Sequence, residues 1–223
     1  MFKQKMLKVA LCSAIAMGAL VNVNGFQTSQ IHAETPWQYK LTNEEIIAVQ
    51  KYTGDDYAEI NKQLRNGNTS GSKSEQIKLI DKALKKAKTN KEMKVYRYVD
   101  ERQLGAKFGS LLQFKDLKLD SINKNTKNYI LEAKKLVDKW IGKTLTEKAY
   151  TSTSMSNVKN FSDRPILFEI TIPKGTHAAE VKSISKYPNE DELLLPKNSK
   201  FKITGATVNG SDNWLIIKTT LIQ

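Results

Sequence analysis

The sequence predicts an α+β fold, with helices first and antiparallel strands after them. Two observations carry this. Up to about residue 142, apolar side chains recur at the three- and four-residue spacing of one helix face. Beyond that point the period shortens, and runs rich in β-branched and aromatic residues alternate with Gly, Pro, Asn and Ser turns. A third observation is negative: there is no internal repeat, no low-complexity linker and no glycine-rich phosphate loop. Helices followed by strands in one continuous pattern imply a single α+β domain.

The elements follow in order. NEEIIAVQKY (43–52) has helical apolar spacing behind a cap at Thr42 or Asn43, and DDYAEINKQLRNG (55–67) is a second helix stopped by Gly67. NTSGS (68–72) is a turn. KSEQIKLIDKALKKAK (73–88) is a third helix with Ile77, Ile80 and Leu84 on one face, and KNTKNYILEAKKLVDKWIG (124–142) is a fourth, ending at Gly142. MKVYRYVD (93–100) between them reads as a strand. After Gly142 strands are expected over 148–154, 165–173, 177–181, 191–196, 200–209 and 213–222.

The first 33 residues are set apart. Lys3, Lys5 and Lys8 precede an apolar run from Val9 to about Val23, and small residues follow before Ile31-His32-Ala33. That is the layout of a secretory signal peptide cleaved after Ala33, leaving 34–223 as the functional domain of a secreted protein. The run is short for a membrane span and lacks a second basic flank, so no stable membrane insertion is expected. The lone cysteine, Cys12, leaves with this leader, so the core alone must stabilise the remainder.

The chain carries 36 Lys+Arg against 23 Asp+Glu, a net charge of +13. Nucleic acid, an anionic membrane or a phosphate-bearing small molecule could each answer that charge. The lysines are spread along helices, however, which reads as solvated helix faces rather than a nucleic-acid site. His177 has no Ser or Cys partner in a hydrolase pattern, and no His/Cys cluster indicates a metal.

Four short stretches could carry chemistry. Arg97 lies in the apolar strand VYRYV, where an arginine is either ion-paired internally or holds an anion with its planar guanidinium. YTSTS (150–154) places hydroxyls at a strand end, either as ordinary strand residues or to orient a carboxylate. NFSDRPILFEI places Arg164 in a loop before a strand. YPNEDELLLP holds Glu190, Asp191 and Glu192 behind Tyr187. Glu190 and Glu192 would share one side of an extended segment. The group is either a solvated turn or a carboxylate pair that stabilises a cation and accepts a proton.

Taken in order, the Arg of VYR, then YTSTS, then FSDRPI, then aromatic-x-x-Glu-x-Glu-LLLP resembles the bacterial toxin mono-ADP-ribosyltransferases. The likeness is to the catalytic domains of clostridial-type binary toxins and to the small secreted Rho-modifying exoenzymes. It runs from about Asn43 to the C-terminus and includes YTGDDYAEINKQLRNG. The resemblance implies a split antiparallel β-sandwich with packed N-terminal helices, and NAD as co-substrate in the cleft, with no metal. Carried over, Arg97, Arg65 and Arg164 hold the NAD diphosphate, and Phe161 lies in the loop near phosphate and nicotinamide. Ser152 positions the catalytic Glu192, with Thr153 and Ser154 supporting the strand and the nicotinamide side. Tyr187 and Glu190 face the substrate protein.

Within that family the residue two before the catalytic glutamate separates subgroups. Rho-modifying exoenzymes carry Gln there and modify asparagine; arginine-modifying toxins carry Glu. This chain has Glu190, which implies an arginine acceptor on a host protein. An actin-like target fits Glu190, whereas the 190 residues after the leader match the single-domain exoenzymes and suggest a small GTPase. A secreted monomer acting inside host cells, on protein and not on nucleic acid, is the expectation.

Overall fold

A computed structural model describes residues 35–68, 70–99, 127–157, 164–209 and 214–222. The leader (1–33), Phe161 and the first residues expected for the fourth helix (124–126) lie outside the described residues. The α+β class holds. After a short 3-10 turn at Trp37–Lys40 come α1 (Asn43–Lys51), a kinked segment (Tyr52–Asp56), α2 (Tyr57–Arg65), α3 (Ser74–Lys85) and β1 (Met93–Val99). Then follow α4 (Lys127–Asp138), β2 (Thr144–Glu147), β3 (Thr151–Ser154), β4 (Ile166–Ile172), β5 (Ala179–Glu180), β6 (Glu192–Leu195), β7 (Ser199–Asn209) and β8 (Trp214–Ile222). Sequence reading missed β2, whereas the break it expected between residues 52 and 55 falls on the kink at Gly54.

Thr42 starts α1 by a capping box: its hydroxyl accepts the Glu45 N–H at 3.3 Å and the Glu45 carboxylate accepts the Thr42 N–H at 2.9 Å. Glu45 is buried, and Lys86 just beyond α3 pairs with it at 2.6 Å, tying the two helices together. The chain breaks helical geometry at Gly54 (φ −89°, ψ −110°), which kinks it between α1 and α2.

The strands form one sheet in the order β2-β7-β8-β4-β1-β3-β6-β5. All pairings are antiparallel except β4 with β8, which is parallel and departs from the expectation. The split implied by the family likeness appears as a weak seam. β1 and β4 share seven registered pairs, but β1 and β3 share one, Tyr96↔Ser154. Strands diverge there, so backbone groups at the seam need partners other than a ladder.

Two apolar cores lie on either side of the β3–β6 part of the sheet. Leu193 and Leu195 join Val95, Ile170, Phe201 and Ile217 in one, under α4. Leu194 joins Tyr52, Ile60, Ile80, Leu84 and Tyr150 in the other, under α1–α3. β6 is therefore buried on both faces, which is why three leucines follow one another. The two-residue period puts Glu192 on the Leu194 side, facing the helices.

Candidate active site

The seam between β1 and β3 builds the site. Parity places Arg97 with Val95 and Val99, but the strands part beyond Tyr96, leaving room for its guanidinium to turn toward β3. There Nη1 donates to the Ser152 carbonyl. Its Nε is buried with no hydrogen-bond partner among the described residues. A buried, unsatisfied cationic donor is costly unless an anion meets it. Burial pulls the Arg97 guanidinium below its usual pKa; Tyr52 and Glu147 push it back up, and Arg65 and Arg164 push it further down. Arg65 from α2 and Arg164 from the segment before β4 thus each lie within electrostatic reach of Arg97.

Arg65 does not stand alone. Its Nε donates to Glu147 Oε1 at 3.1 Å and its Nη2 to Oε2 at 3.4 Å. Glu147, buried at the end of β2, also accepts the Ala149 N–H at 2.8 Å. The acid locks the end of α2 to the segment that enters β3. Arg164 donates to the Tyr98 carbonyl at 3.3 Å.

Glu192 opens β6 opposite Ser154 and is 5 % exposed. Burial raises its carboxyl above the ordinary carboxylate range; a hydrogen bond with the Ser152 side chain lowers it, nearby Glu190 raises it, and Arg97 lowers it. Ser152 alternates with Thr151 and Thr153 and lies on the Glu192 face. Thr153 points the other way, donating from its buried hydroxyl to the Leu193 carbonyl at 2.7 Å. Its part is to fasten β3 to β6, and its hydroxyl is not turned to the Glu192 side. Ser154 closes a local turn, donating to the Ser156 carbonyl at 2.7 Å and accepting the Ser156 N–H at 3.2 Å.

The acidic triplet divides three ways. Glu190 is exposed on a turn, its N–H donating to the Tyr187 carbonyl at 3.1 Å. It does not share an extended segment with Glu192, because the Glu192 N–H folds back to the Glu190 carbonyl at 2.8 Å. Asp191 is more than a solvated turn residue: Lys182 donates to it at 2.7 Å and the Ser156 hydroxyl at 3.1 Å. Those two hold its carboxyl below the usual range, Lys182 foremost. The Asp191 carbonyl also accepts the Met155 N–H at 2.8 Å, which pins the loop to the end of β3. Tyr187 is 46 % exposed beside this turn.

Sequence reading missed Tyr52 and Glu147. Tyr52 is buried at the start of the kinked segment and meets Tyr150 edge-on at 5.3 Å. Burial raises its hydroxyl far above the usual phenol range, and it interacts electrostatically with Glu192, Arg97 and Arg65. Nothing in KYTGDD or LTEKAY marks either residue locally; both gain their position from long-range packing. His177 is accounted for structurally, its Nδ1 lying 3.0 Å from the Ala87 carbonyl. A cavity of 390 Å³ lined by Trp37, Met93, Met155 and Leu193 lies on the Leu193 face of β6, away from Glu192. Among the described residues no group of three or more His, Cys, Asp or Glu could hold a metal, and no helix is long and apolar enough to cross a membrane.

The arrangement is a buried carboxylate beside a cluster of arginines, one of them with an orphaned donor. It fits a dinucleotide diphosphate next to a bond whose cleavage leaves a cation. Comparison with known proteins agrees. The family model for ADP-ribosyltransferase exoenzyme matches residues 30–223. A mono-ADP-ribosyltransferase C3 from Clostridium botulinum D phage is 31 % identical over 190 residues, covering 83 % of this chain and 72 % of that protein. The structure of Plx2a, an ADP-ribosyltransferase toxin from Paenibacillus larvae, superposes with a TM-score of 0.70 at 33 % identity, over 84 % of this chain and 90 % of that one. The NAD(+)–arginine ADP-ribosyltransferase EFV of Enterococcus faecalis is 28 % identical over 171 residues, covering 75 % of this chain and 30 % of that protein. The chain belongs to the ADP-ribosyltransferase exoenzyme family, and it is a mono-ADP-ribosyltransferase with NAD as its co-substrate.

Proposed function

We propose that this enzyme is a secreted toxin that transfers ADP-ribose from NAD to an arginine side chain of a host protein. The observation that carries the acceptor is the state of the acidic triplet. Glu192 is buried, Asp191 is neutralised by Lys182, and Glu190 is exposed on a turn with no basic side chain paired to it among the described residues. Secretion rests on the leader pattern of residues 1–33.

In this reading Arg97, Arg65 and Arg164 bind the diphosphate, and Phe161 belongs to the same cofactor region. Ser152 orients Glu192, with Thr153 and Ser154 fixing the strand. The bond between nicotinamide and ribose C1′ breaks, and its electron pair goes to the nicotinamide nitrogen, which leaves neutral. The ribosyl cation that remains is stabilised by the Glu192 carboxylate. No general acid is needed, unlike ordinary glycoside cleavage. A guanidinium nitrogen of the substrate then attacks C1′ and gives its proton to Glu190. Tyr187 lines the approach.

A second reading keeps the chemistry and changes the target: a small GTPase modified on another residue. The likeness to a C3 enzyme over most of both chains favours it. Labelled NAD with animal-cell lysate, followed by mass-spectrometric mapping of the modified peptide, decides between them. The arginine reading expects a labelled arginine, and Glu190→Gln should abolish labelling while NAD cleavage into water continues. A labelled asparagine, or full labelling by Glu190→Gln, overturns it. Fast nicotinamide release indifferent to lysate would identify an NAD glycohydrolase.

A further inference from the structure

We propose that the outward face of the five strands β2-β7-β8-β4-β1 docks the enzyme on an anionic lipid bilayer, at headgroup level and without insertion. The inference goes beyond the transferase reading and does not depend on which acceptor is modified.

Strand parity defines this face. Val95, Ile170, Ile217, Phe201 and Ile203 point into the apolar core under α4, so their neighbours in the strands point out. Register then lines up Lys94, Thr171, Thr220, Lys202 and Thr144 directly opposite one another across all five strands. Four strand spacings make that row about 19 Å wide. Beside it Lys200 stands opposite Thr146 and Ile222, and Lys218 stands opposite Glu169 and Gly205. Lys94, Lys200, Lys202 and Lys218 are all exposed, as are Thr144 and Thr146.

Charge on the face is one-sided. Among the described residues Glu169 is the only acid at an outward position of these strands, and Lys94 pairs with it at 3.0 Å. Lys200, Lys202 and Lys218 have no acid paired to them among the described residues. Elsewhere lysines pair with acids of their own helix: Lys78 with Glu75, Lys134 with Asp138 and Lys135 with Glu132. Like charges two residues apart on one strand, with a third on the next strand, repel, and a plane of anions facing them relieves that. Protection of the sheet edge does not account for them, because β2 is the edge and the lysines stand on β7 and β8.

The chemistry selects a bilayer. The face is the open side of a sheet and carries no arginine for bidentate capture of single phosphates. Ammonium groups on flexible stems follow mobile headgroups, and threonine hydroxyls donate to their oxygens. Of the exposed large apolar residues only Ile222 lies here, too little to enter the hydrocarbon layer. Arg97 shares the inward parity of Val95, so a bilayer on this face leaves the site uncovered.

The test is co-sedimentation with phosphatidylcholine vesicles that contain about one-third phosphatidylserine. Vesicles of phosphatidylcholine alone register any contribution from the apolar run of the leader. The unaltered protein should pellet with the anionic vesicles at about 0.1 M salt and be released at about 1 M. Each lysine near an anionic surface contributes about fivefold in affinity, so Lys202→Gln with Lys218→Gln should raise the half-binding lipid concentration about thirtyfold. Lys78→Gln with Lys135→Gln removes the same charge from helix faces and should raise it less than about threefold. Thermal midpoint and nicotinamide release without lipid should match the unaltered protein in both. Equal loss in the two pairs would reduce the effect to net charge and overturn the proposal. So would equal binding to neutral vesicles, or binding to anionic vesicles that the Lys202 and Lys218 changes do not weaken. If the unaltered protein ignores vesicles but is held on immobilised heparin, and Lys202→Gln with Lys218→Gln releases it, the face serves a sulfated polysaccharide and the bilayer proposal is wrong.

Discussion

Glu147→Ala removes the carboxylate that holds Arg65, and the structure sets the size of the effect. Three bonds are lost: two to the Arg65 guanidinium at 3.1 and 3.4 Å, and one to the Ala149 N–H at 2.8 Å. Removing one partner of a buried ion pair costs about 3–5 kcal/mol, since the other charge is stranded. The Arg65 side chain is 22 % exposed, so water recovers part of that. The remaining cost is about 2–4 kcal/mol once the orphaned amide is included. Glu147 also offsets the repulsion between Arg65 and Arg97, so its loss leaves two neighbouring cations unscreened. For a domain of this size each kcal/mol moves the thermal midpoint by about 2–4 °C, which predicts a fall of roughly 4–16 °C by circular dichroism. Glu147→Gln keeps an acceptor for Ala149 and should lose less. NAD affinity measured by calorimetry should fall in both variants, because Arg65 is no longer fixed. In a double-mutant cycle, Arg65→Ala should cost less on the Glu147→Ala background, with coupling of at least about 1 kcal/mol. A loss below about 0.5 kcal/mol for Glu147→Ala, or strict additivity with Arg65→Ala, would refute the positioning argument.

The raised carboxyl of Glu192 gives two signed outcomes. In the acid range nicotinamide release should rise with pH along a limb above the ordinary carboxylate range; Ser152→Ala should move that limb further up, and Glu190→Gln should move it down. A limb that stays put in both variants would contradict the assignment of causes. For stability, a folded-state pKa above the unfolded value means that Glu192 contributes stability below the unfolded pKa, which is lost as pH rises through the folded one. Glu192→Gln should therefore unfold at a higher temperature than the unaltered protein at neutral pH, while transferring nothing; a lower midpoint would show that the carboxylate is better satisfied than its burial implies. Thr153→Val removes the bond to the Leu193 carbonyl and should cost about 1–3 kcal/mol while leaving NAD cleavage measurable in the folded fraction. Urea unfolding and a nicotinamide assay check both halves.

Much of the fold was legible because local pattern and tertiary demand agree. Ile77, Ile80 and Leu84 recur at helical spacing, and all three are buried under α1–α3. Of the two cap candidates, Thr42 and Asn43, it is Thr42 that caps α1, with Glu45 completing the capping box. The misses are places where tertiary context overrides local pattern. The four residues of β2 are too few to show a period, and they become a strand through pairing with β7. The break expected between residues 52 and 55, by contrast, falls where Gly54 leaves helical geometry and kinks the chain between α1 and α2. The parallel β4–β8 pairing depends on six registered residues 49 apart in sequence, and no local spacing announces it.

The site shows the same division in sharper form. Residue types that carry charge in apolar surroundings, Arg97 in VYRYV and Glu192 before LLLP, could be singled out because burial of a charge needs a reason. What holds them could not. Glu147, Tyr52 and Lys186 look like ordinary residues until the chain brings α2 to β2, the kinked segment to the seam and the loop to Thr53. Glu190 and Glu192 make the point at the smallest scale. Separated by one residue, they were expected on one side of a strand, but the Glu192 N–H bonds back to the Glu190 carbonyl and the chain turns between them. That turn is what lets two identical side chains differ. One is buried, where a carboxylate gains most from meeting a transient cation; the other is exposed, where it can meet a cation arriving on another protein. A straight extended strand would have given both the same environment and so the same chemistry. The specificity proposed for Glu190 depends on the bend as much as on the residue.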